Sequence, residues 1–427
     1  MKRTITATFN ITTPMFLGSA DPVQADTLFR VGSFRGVLRW WWRALNYPQF
    51  YVDALENQQA ALKELGIAET RLFGSSDDGQ GAVLMRLVDA QSLDLVEAPG
   101  RLMNGGHVVG PGACYLAGQG LIVAFGDEKG TLKRSCITPD QSVTIAMLVK
   151  EKESATASEV DSLIRAVKAL GLLGGVGSHL RRGWGSVSLT NLEVEGFEDG
   201  IIAAPFEAPT NPEAYKAAIA EIFSAIPYAN AERLPPFTAF GPKSRIDILC
   251  RPSGNPLSVL DNVGKAMQRY RSWGHNGMVD GVASEENFKD DHDWLRGREP
   301  GSPPLPANFV PRRTVFGLPH NYGQEASVEP AGELDRRASP LLLHVHKLRG
   351  DQDRYIAVST ILPAKFLPDH GGDVDRVTTS GVLNAGDHPA NIDWDVLNTF
   401  IDGNGPLTPP PGTLLTPYFP NRDRVLP

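Results

Sequence analysis

At 427 residues the chain is long enough for two or three domains, and 41% hydrophobic, 21% charged and 8% aromatic residues give it ordinary globular composition with material for sizeable cores. A formal net charge of -8 argues against a simple polycationic nucleic-acid binder, but not against a basic groove on an acidic body, because the local field follows charge distribution rather than the total. Three separated cysteines, Cys114, Cys136 and Cys250, contain no Cys-x-x-Cys pair, which argues against a disulfide framework or zinc ribbon and suits reduced thiols.

The N-terminus, MKRTITATFNITTP, alternates polar and apolar residues where a signal peptide needs a continuous apolar core. No window has the length of a transmembrane helix, so a cytoplasmic protein without a membrane partner is expected. The alternation over residues 4–12 predicts a half-buried strand, followed by a loop over 13–22. Residues 31–45, VGSFRGVLRWWWRAL, predict a helix with two faces. Ser33 is placed to cap it. Phe34, Val37, Leu38, Trp41 and Leu45 share one stripe and predict a core face. Arg35, Arg39 and Arg43 form a second stripe with Trp42 at its edge, which suits a phosphate backbone and a stacked base. The plainer alternative is a surface helix whose arginines are solvated or paired with carboxylates.

A second helix is predicted over 51–66 and a strand over 82–88. Residues 100–120 are glycine-rich and predict a loop-rich insertion or a hairpin. Strands are predicted over 121–125 and 142–149, and a helix over 159–173. The loop Gly174-Gly175-Val176-Gly177-Ser178-His179-Leu180-Arg181-Arg182-Gly183-Trp184-Gly185 then leads into a strand over 186–194. This order of elements predicts an α+β fold, compatible with a split β-α-β unit of the ferredoxin-like kind. A first module is placed over 1–200, a linker with a helix over 201–236, and a second module over 237–427. The second module has a strand at 245–250, a helix at 257–273, a charged, proline-rich passage at 280–312, strands at 341–348 and 355–362, and an extended tail from 403.

The Gly174–Gly185 loop carries the most specific chemistry. Its glycines permit positive φ or a close backbone approach, Arg181 and Arg182 supply charge, and Trp184 offers a stacking surface. It lacks the lysine of a Walker loop, and it runs helix to strand where a dinucleotide fingerprint runs strand to helix. A structural turn with an exposed arginine pair is the alternative. His344 and His346 share a strand face, but no third ligand accompanies them, so a polar face towards RNA or solvent is expected in preference to a metal. Asp290-Asp291-His292-Asp293 lacks the further ligands of a metal phosphohydrolase and is expected to be a solvated loop or a partner contact. His107 or His179 could serve as general base in metal-independent RNA cleavage, although nothing positions a partner acid.

Taken together, TPMFLGSADP followed by SFRGVLRWWWRAL resembles the N-terminal signature of the RAMP superfamily, and GGVGSHLRRGWGSV resembles that superfamily's glycine-rich loop. FGLPHNY and RRASPLLLHVHKL resemble the large two-domain subunit of the Cmr complex, the type III-B CRISPR effector. The resemblance implies two ferredoxin-like, RRM-like RAMP modules. It implies a capping subunit distant from the guide's 5′ tag, contacting the 3′ part of the guide RNA and the target RNA beside other Cmr subunits. In that family the subunit is thought to bind rather than cut, and no cofactor or metal is expected for this chain. The implied RNA contacts are Arg35, Arg39 and Arg43, to which the stripe itself adds Trp42, then Gly174, Gly175, Gly177, Ser178, His179, Arg181, Arg182 and Trp184, then Arg312, Arg313, Arg336, Arg337 and Lys347. Two other readings stand beside this one: a metal-independent endoribonuclease that processes guide precursors, and a purely structural bridge.

Overall fold

Alternating residues Ile5, Ala7, Phe9 and Ile11 are buried along β1 (Arg3–Ile11), as the sequence pattern requires of a central strand with one face on a core. The structure, a computed structural model, describes residues 3–18, 29–88, 92–118, 120–124, 126–150, 155–197, 201–227, 233–273, 277–279, 281–296, 304–322, 326–367, 375–380, 385–403 and 417–426. After β1 come α1 (Val31–Asp53), α2 (Gln58–Phe73), β2 (Val83–Leu87), α3 (Pro111–Ala117), β3 (Ser142–Val149), α4 (Ala157–Leu173) and β4 (Val187–Glu195). The four strands form an antiparallel sheet in the order β2-β3-β1-β4.

The chain continues through α5 (Pro212–Ser224), β5 (Arg245–Ile248), α6 (Pro256–Arg271), α7 (Lys289–Arg296), β6 (His320–Tyr322), β7 (Ala326–Pro330), β8 (Leu341–Leu348) and β9 (Arg354–Ile361). It ends with β10 (Arg376–Ser380), β11 (Ala385–Pro389), α8 (Asp395–Asp402) and β12 (Asp423–Leu426). A second sheet has the order β8-β9-β5-β12. Numbered along each module, both sheets run second-third-first-fourth, with a helix after the first strand and another after the third. This is the split β-α-β arrangement twice over, so the fold is α+β with two ferredoxin-like modules. Two insertions, one before β8 and one after β9, meet in a third sheet, β6-β7-β10-β11.

The second sheet is covered on both faces. Leu342 and Leu348 of β8 pack with the core of α1 and α4, whereas Leu341, Leu343 and Val345 pack with α3, α6 and α8. That explains why LLLHVHKL reads as a continuous run with no clean alternation. Helix α4 lies between the modules and is buried along most of its length. A capping box starts it, with the Thr156 hydroxyl accepting from the Glu159 amide at 3.2 Å and the Glu159 carboxylate accepting from the Thr156 amide at 2.8 Å.

Several expectations are corrected. Helix α1 starts at Val31 with Arg30 at the cap position and no side-chain cap, so Ser33 lies inside the helix. Residues 51–53 belong to α1, and the break falls at Leu55 and Glu56, with φ of 50° and 63°, before Asn57 caps α2. The glycine-rich stretch 100–120 contains α3 as well as a short hairpin, Met103–Asn104 with His107–Val108. Asp261 of α6 caps α3 by accepting from the Gly112 and Ala113 amides at 2.8 and 3.1 Å. A Cβ on Gly112 or Gly264 would lie 2.0 Å from the other helix's backbone, so these glycines allow the crossing. The expected strand at 121–125 is limited to an isolated bridge, Ile122 to Leu132, with Phe125 outside the described residues. Asp290–Asp293 is no solvated loop: it lies on α7, with Asp291 and Asp293 buried. Asp291 accepts from the amides of Arg312 and Arg313, at 2.8 and 3.1 Å, and from the Arg313 guanidinium at 2.9 Å. Of the expected tail, 404–416 lies outside the described residues, while β12 pairs with β5.

Candidate nucleic-acid interface

The Gly174–Gly185 loop folds back on the segment after β1. The Gly185 amide donates to Pro14, the Ser178 amide to Phe16, and the Thr13 hydroxyl to Gly183, at 2.9, 2.9 and 2.7 Å. Its glycines serve these contacts. A Cβ on Gly174 would lie 2.6 Å from the Trp41 indole nitrogen, and one on Gly175 would lie 2.7 Å from the Gly185 carbonyl. Gly177, with φ of 98°, would meet the Phe16 carbonyl at 2.7 Å. Close approach is therefore needed here for the protein's own backbone. This corrects the expectation that Gly174 and Gly175 cradle a ligand; Gly177 alone of the loop glycines lines the cavity described next.

Beyond the turn, the loop projects Arg181 and Arg182 towards the second module. The Arg181 carbonyl accepts from the Leu343 amide at 2.9 Å, and its guanidinium donates to the Ser339 carbonyl at 2.6 Å and stacks 5.0 Å from the Trp40 ring. Opposite, Leu318 and Arg337 exchange backbone hydrogen bonds at 2.8 and 3.0 Å. The loop, the end of α3, the C-terminus of α6 and these two segments enclose a groove of about 810 Å³. Four guanidinium groups line it: Arg181, Arg182, Arg271 and Arg337. Among the described residues none of the four is in an ion pair; their hydrogen bonds go to carbonyls and to the Thr238 hydroxyl.

These cations strain against one another. Burial, then the neighbouring Arg337, push Arg181 down to about 10, and burial brings Arg337 to about 10. Arg182, at the groove's rim, is lowered by desolvation and then by Arg271. His179 is lowered by burial and then by Arg182, and His320 well below its ordinary value by burial, Arg271 and Arg313. An anion entering the groove relieves both the desolvation and the repulsion. His179 also holds a left-handed backbone with φ of 58°, which β-carbon-bearing residues rarely adopt.

The remaining expected contacts are scattered. Arg39 donates to the buried carboxylate of Glu69 at 2.8 Å, and Arg43 lies 3.7 Å from it, so this stripe is the paired alternative. Arg35 is half-buried, with its Nε enclosed and without a partner among the described residues. Trp42 and Trp184 are 1% and 0% exposed, which corrects their reading as base-stacking platforms. Trp42 donates to Ser162 at 2.8 Å, and Trp184 packs edge-on to Phe16 with centroids 5.6 Å apart. Arg312 faces Asp393 at 3.6 Å, Arg313 binds Asp291, and Lys347 binds Asp140 and Asp353 at 2.7 and 2.9 Å. Arg336 is exposed and outside the groove. His107 is exposed on its hairpin, away from the groove lining.

His344 and His346 are buried rather than on a polar face. His344 Nδ1 donates to the Gly174 carbonyl at 2.8 Å, His346 Nδ1 lies 3.3 Å from the Ser188 hydroxyl, and the His346 and Tyr215 rings are 4.8 Å apart. Burial lowers His344 to about 3 and His346 well below its ordinary value. Among the described residues no cluster of three His, Cys, Asp or Glu side chains could hold a metal, and no helix is long and apolar enough to cross a membrane. Sequence reasoning missed Arg271 and His320. Arg271 ends α6, where a cation complements the helix dipole, and His320 lies within FGLPHNY; neither position signals a groove by itself.

The RAMP superfamily model matches residues 8–188. No curated protein matches the sequence. The crystal structure of apo Cmr1 from Pyrococcus furiosus is similar in fold, with a TM-score of 0.51 at 14% identity over 99% of this chain and 98% of that one. A chain of the type III-B Cmr-beta complex bound to cognate target RNA gives 0.52 at 10% identity, over 94% and 98%. A chain of the same complex with target RNA, AMPPnP and single-stranded DNA gives 0.53 at 12%, over 94% and 98%. Residues 8–188 thus match the RAMP superfamily model, and the chain along nearly its whole length is similar in fold to the Cmr1 structure.

Proposed function

We propose that the chain is a non-catalytic RNA-binding subunit of a type III-B CRISPR effector, capping the end distant from the guide's 5′ tag and contacting the 3′ part of the guide RNA and the target RNA beside other Cmr subunits. The observation that carries this reading is the convergence of four guanidinium groups, none ion-paired among the described residues, on one groove built from both modules. Arg181 and Arg337 are held by carbonyls and the Thr238 hydroxyl, with Asp375 acting on Arg337 from beyond ion-pair distance, so the groove keeps an excess of positive charge that an anion from outside can neutralise. A phosphate backbone supplies successive anions at the spacing of a groove rather than a single point. The Cmr-beta structures similar to this chain contain target RNA, which supports the choice of polymer.

The test is Arg182→Glu with Arg271→Glu in a filter-binding assay with single-stranded RNA. Affinity falls by about tenfold or more at low salt, and the slope of log K against log salt becomes shallower by about 1.4, near 0.7 for each lost phosphate contact. Unchanged affinity and slope overturn the reading. Incubation of the wild type with repeat RNA in EDTA leaves the RNA intact; cleavage that His179→Ala abolishes instead identifies an endoribonuclease.

A further inference from the structure

We propose that His320 makes the groove selective for ribose over deoxyribose, its Nε2 accepting a hydrogen bond from a ribose 2′-hydroxyl. The inference rests on the RNA reading of the groove and assigns to it a specificity residue.

His320 Nδ1 lies 3.2 Å from the Arg313 carbonyl, which can only accept, so Nδ1 carries the hydrogen. With Arg271 and Arg313 nearby, a second proton on the ring is opposed, and Nε2 keeps its lone pair. Nε2 has no hydrogen-bond partner among the described residues, and His320 lines the groove. The ring cannot turn away easily. It stacks on Tyr322 with centroids 4.6 Å apart and 9° between planes, and the Tyr322 hydroxyl donates to Asp291 at 3.2 Å. Asp291 in turn binds Arg313 at 2.9 Å, so one carboxylate fixes both the stacking partner and the residue whose carbonyl orients the ring.

A fixed acceptor therefore stands among guanidinium groups, which only donate. A neutral Nε2 repels phosphate oxygens, because both present lone pairs, and it needs a donor. In single-stranded RNA the 2′-hydroxyl is a donor carried by each sugar between successive phosphates, and it is the group by which a protein distinguishes RNA from DNA. A strand whose phosphates occupy Arg182 and Arg271 brings such a sugar beside His320, which senses both arginines.

The experiment measures binding of the full chain to single-stranded RNA, to the 2′-deoxy strand with the same bases, and to its 2′-O-methyl form. His320→Asn keeps a donor near the position of Nδ1 and removes the Nε2 acceptor. It lowers RNA affinity by about fivefold and leaves the affinity for the 2′-deoxy and 2′-O-methyl strands unchanged. His320→Gln, whose carbonyl reaches towards the Nε2 position, recovers part of the RNA preference. Equal losses on RNA and deoxy strands, in a variant with a native thermal transition, overturn the proposal, and so do unchanged affinities for all three strands. Wild-type protein that binds none of the strands in a salt-dependent way refutes the RNA reading of the groove itself. Salt-dependent binding with an unmoved ratio refutes the His320 assignment alone.

Discussion

The Arg181 guanidinium donates to the Ser339 carbonyl at 2.6 Å, while the Arg181 carbonyl accepts from the Leu343 amide. One residue of the first module's loop thus fastens the second module and charges the groove between them. Arg182, one position on, bridges to Leu343 through the backbone, but its exposed side chain has no such fastening among the described residues. Arg181→Ala is expected to lower both RNA affinity and stability, the latter by about 1–2 kcal/mol for a partly buried charge-assisted hydrogen bond. Arg182→Ala lowers affinity alone. Urea denaturation beside RNA titration separates the two.

Helix α1 holds its arginines differently. Glu69 is 6% exposed and accepts from Arg39, with Arg43 close by. Arg39→Ala leaves that carboxylate with the longer contact only, so stability falls by about 1–2 kcal/mol, below the cost for a fully buried pair because Arg39 is partly solvated. RNA affinity stays within about twofold, the change expected of a site outside the groove. A tenfold loss of affinity with unchanged stability would return this stripe to the interface.

For the two enclosed tryptophans, the expectation is a loss of folding energy. Trp42→Ala and Trp184→Ala each cost about 3–5 kcal/mol, the range for deleting a large buried aromatic. Trp184→Phe retains most of the contact with Phe16 and costs less. Thermal unfolding of the three variants ranks them; a stable Trp184→Ala protein with weak RNA binding would show a stacking role.

His344 and His346 link stability to pH. Their folded-state protonation is depressed, so the unfolded chain binds more protons as pH falls below its ordinary histidine range, near 6.5. The stability they allow is fully present above that range. It is lost on acidification towards about pH 3 for His344, by about 1.4 kcal/mol per pH unit for each histidine. Urea midpoints between pH 7.5 and 5 should fall accordingly. His344→Asn, which keeps a donor for Gly174, should flatten the slope.

The local pattern was legible where it arises within a few residues. β1 shows its alternation, α1 its apolar stripe, and α4 its Thr156–Glu159 box. What sequence patterning could not supply was the surroundings of each face. The LLLHVHKL strand is apolar on both sides because α4 covers one face and α6 the other. The stripe of Arg39 and Arg43 offered no clue to the carboxylate that meets it, since Glu69 lies on a different helix.

The sequence by itself determined the strongly periodic elements, such as β1, α1, β3 and α4, and the residues able to carry charge, because periodicity is written in neighbouring side chains; it did not determine α3, α7 or the third sheet. Only the tertiary structure decided which arginines are spent on the protein and which face outward. Arg182, Arg271 and Arg337 come from segments far apart in the chain, and they meet because the glycine-rich loop docks on β8. Whether a guanidinium is paired depends on that long-range assembly, which sets its distance to every carboxylate.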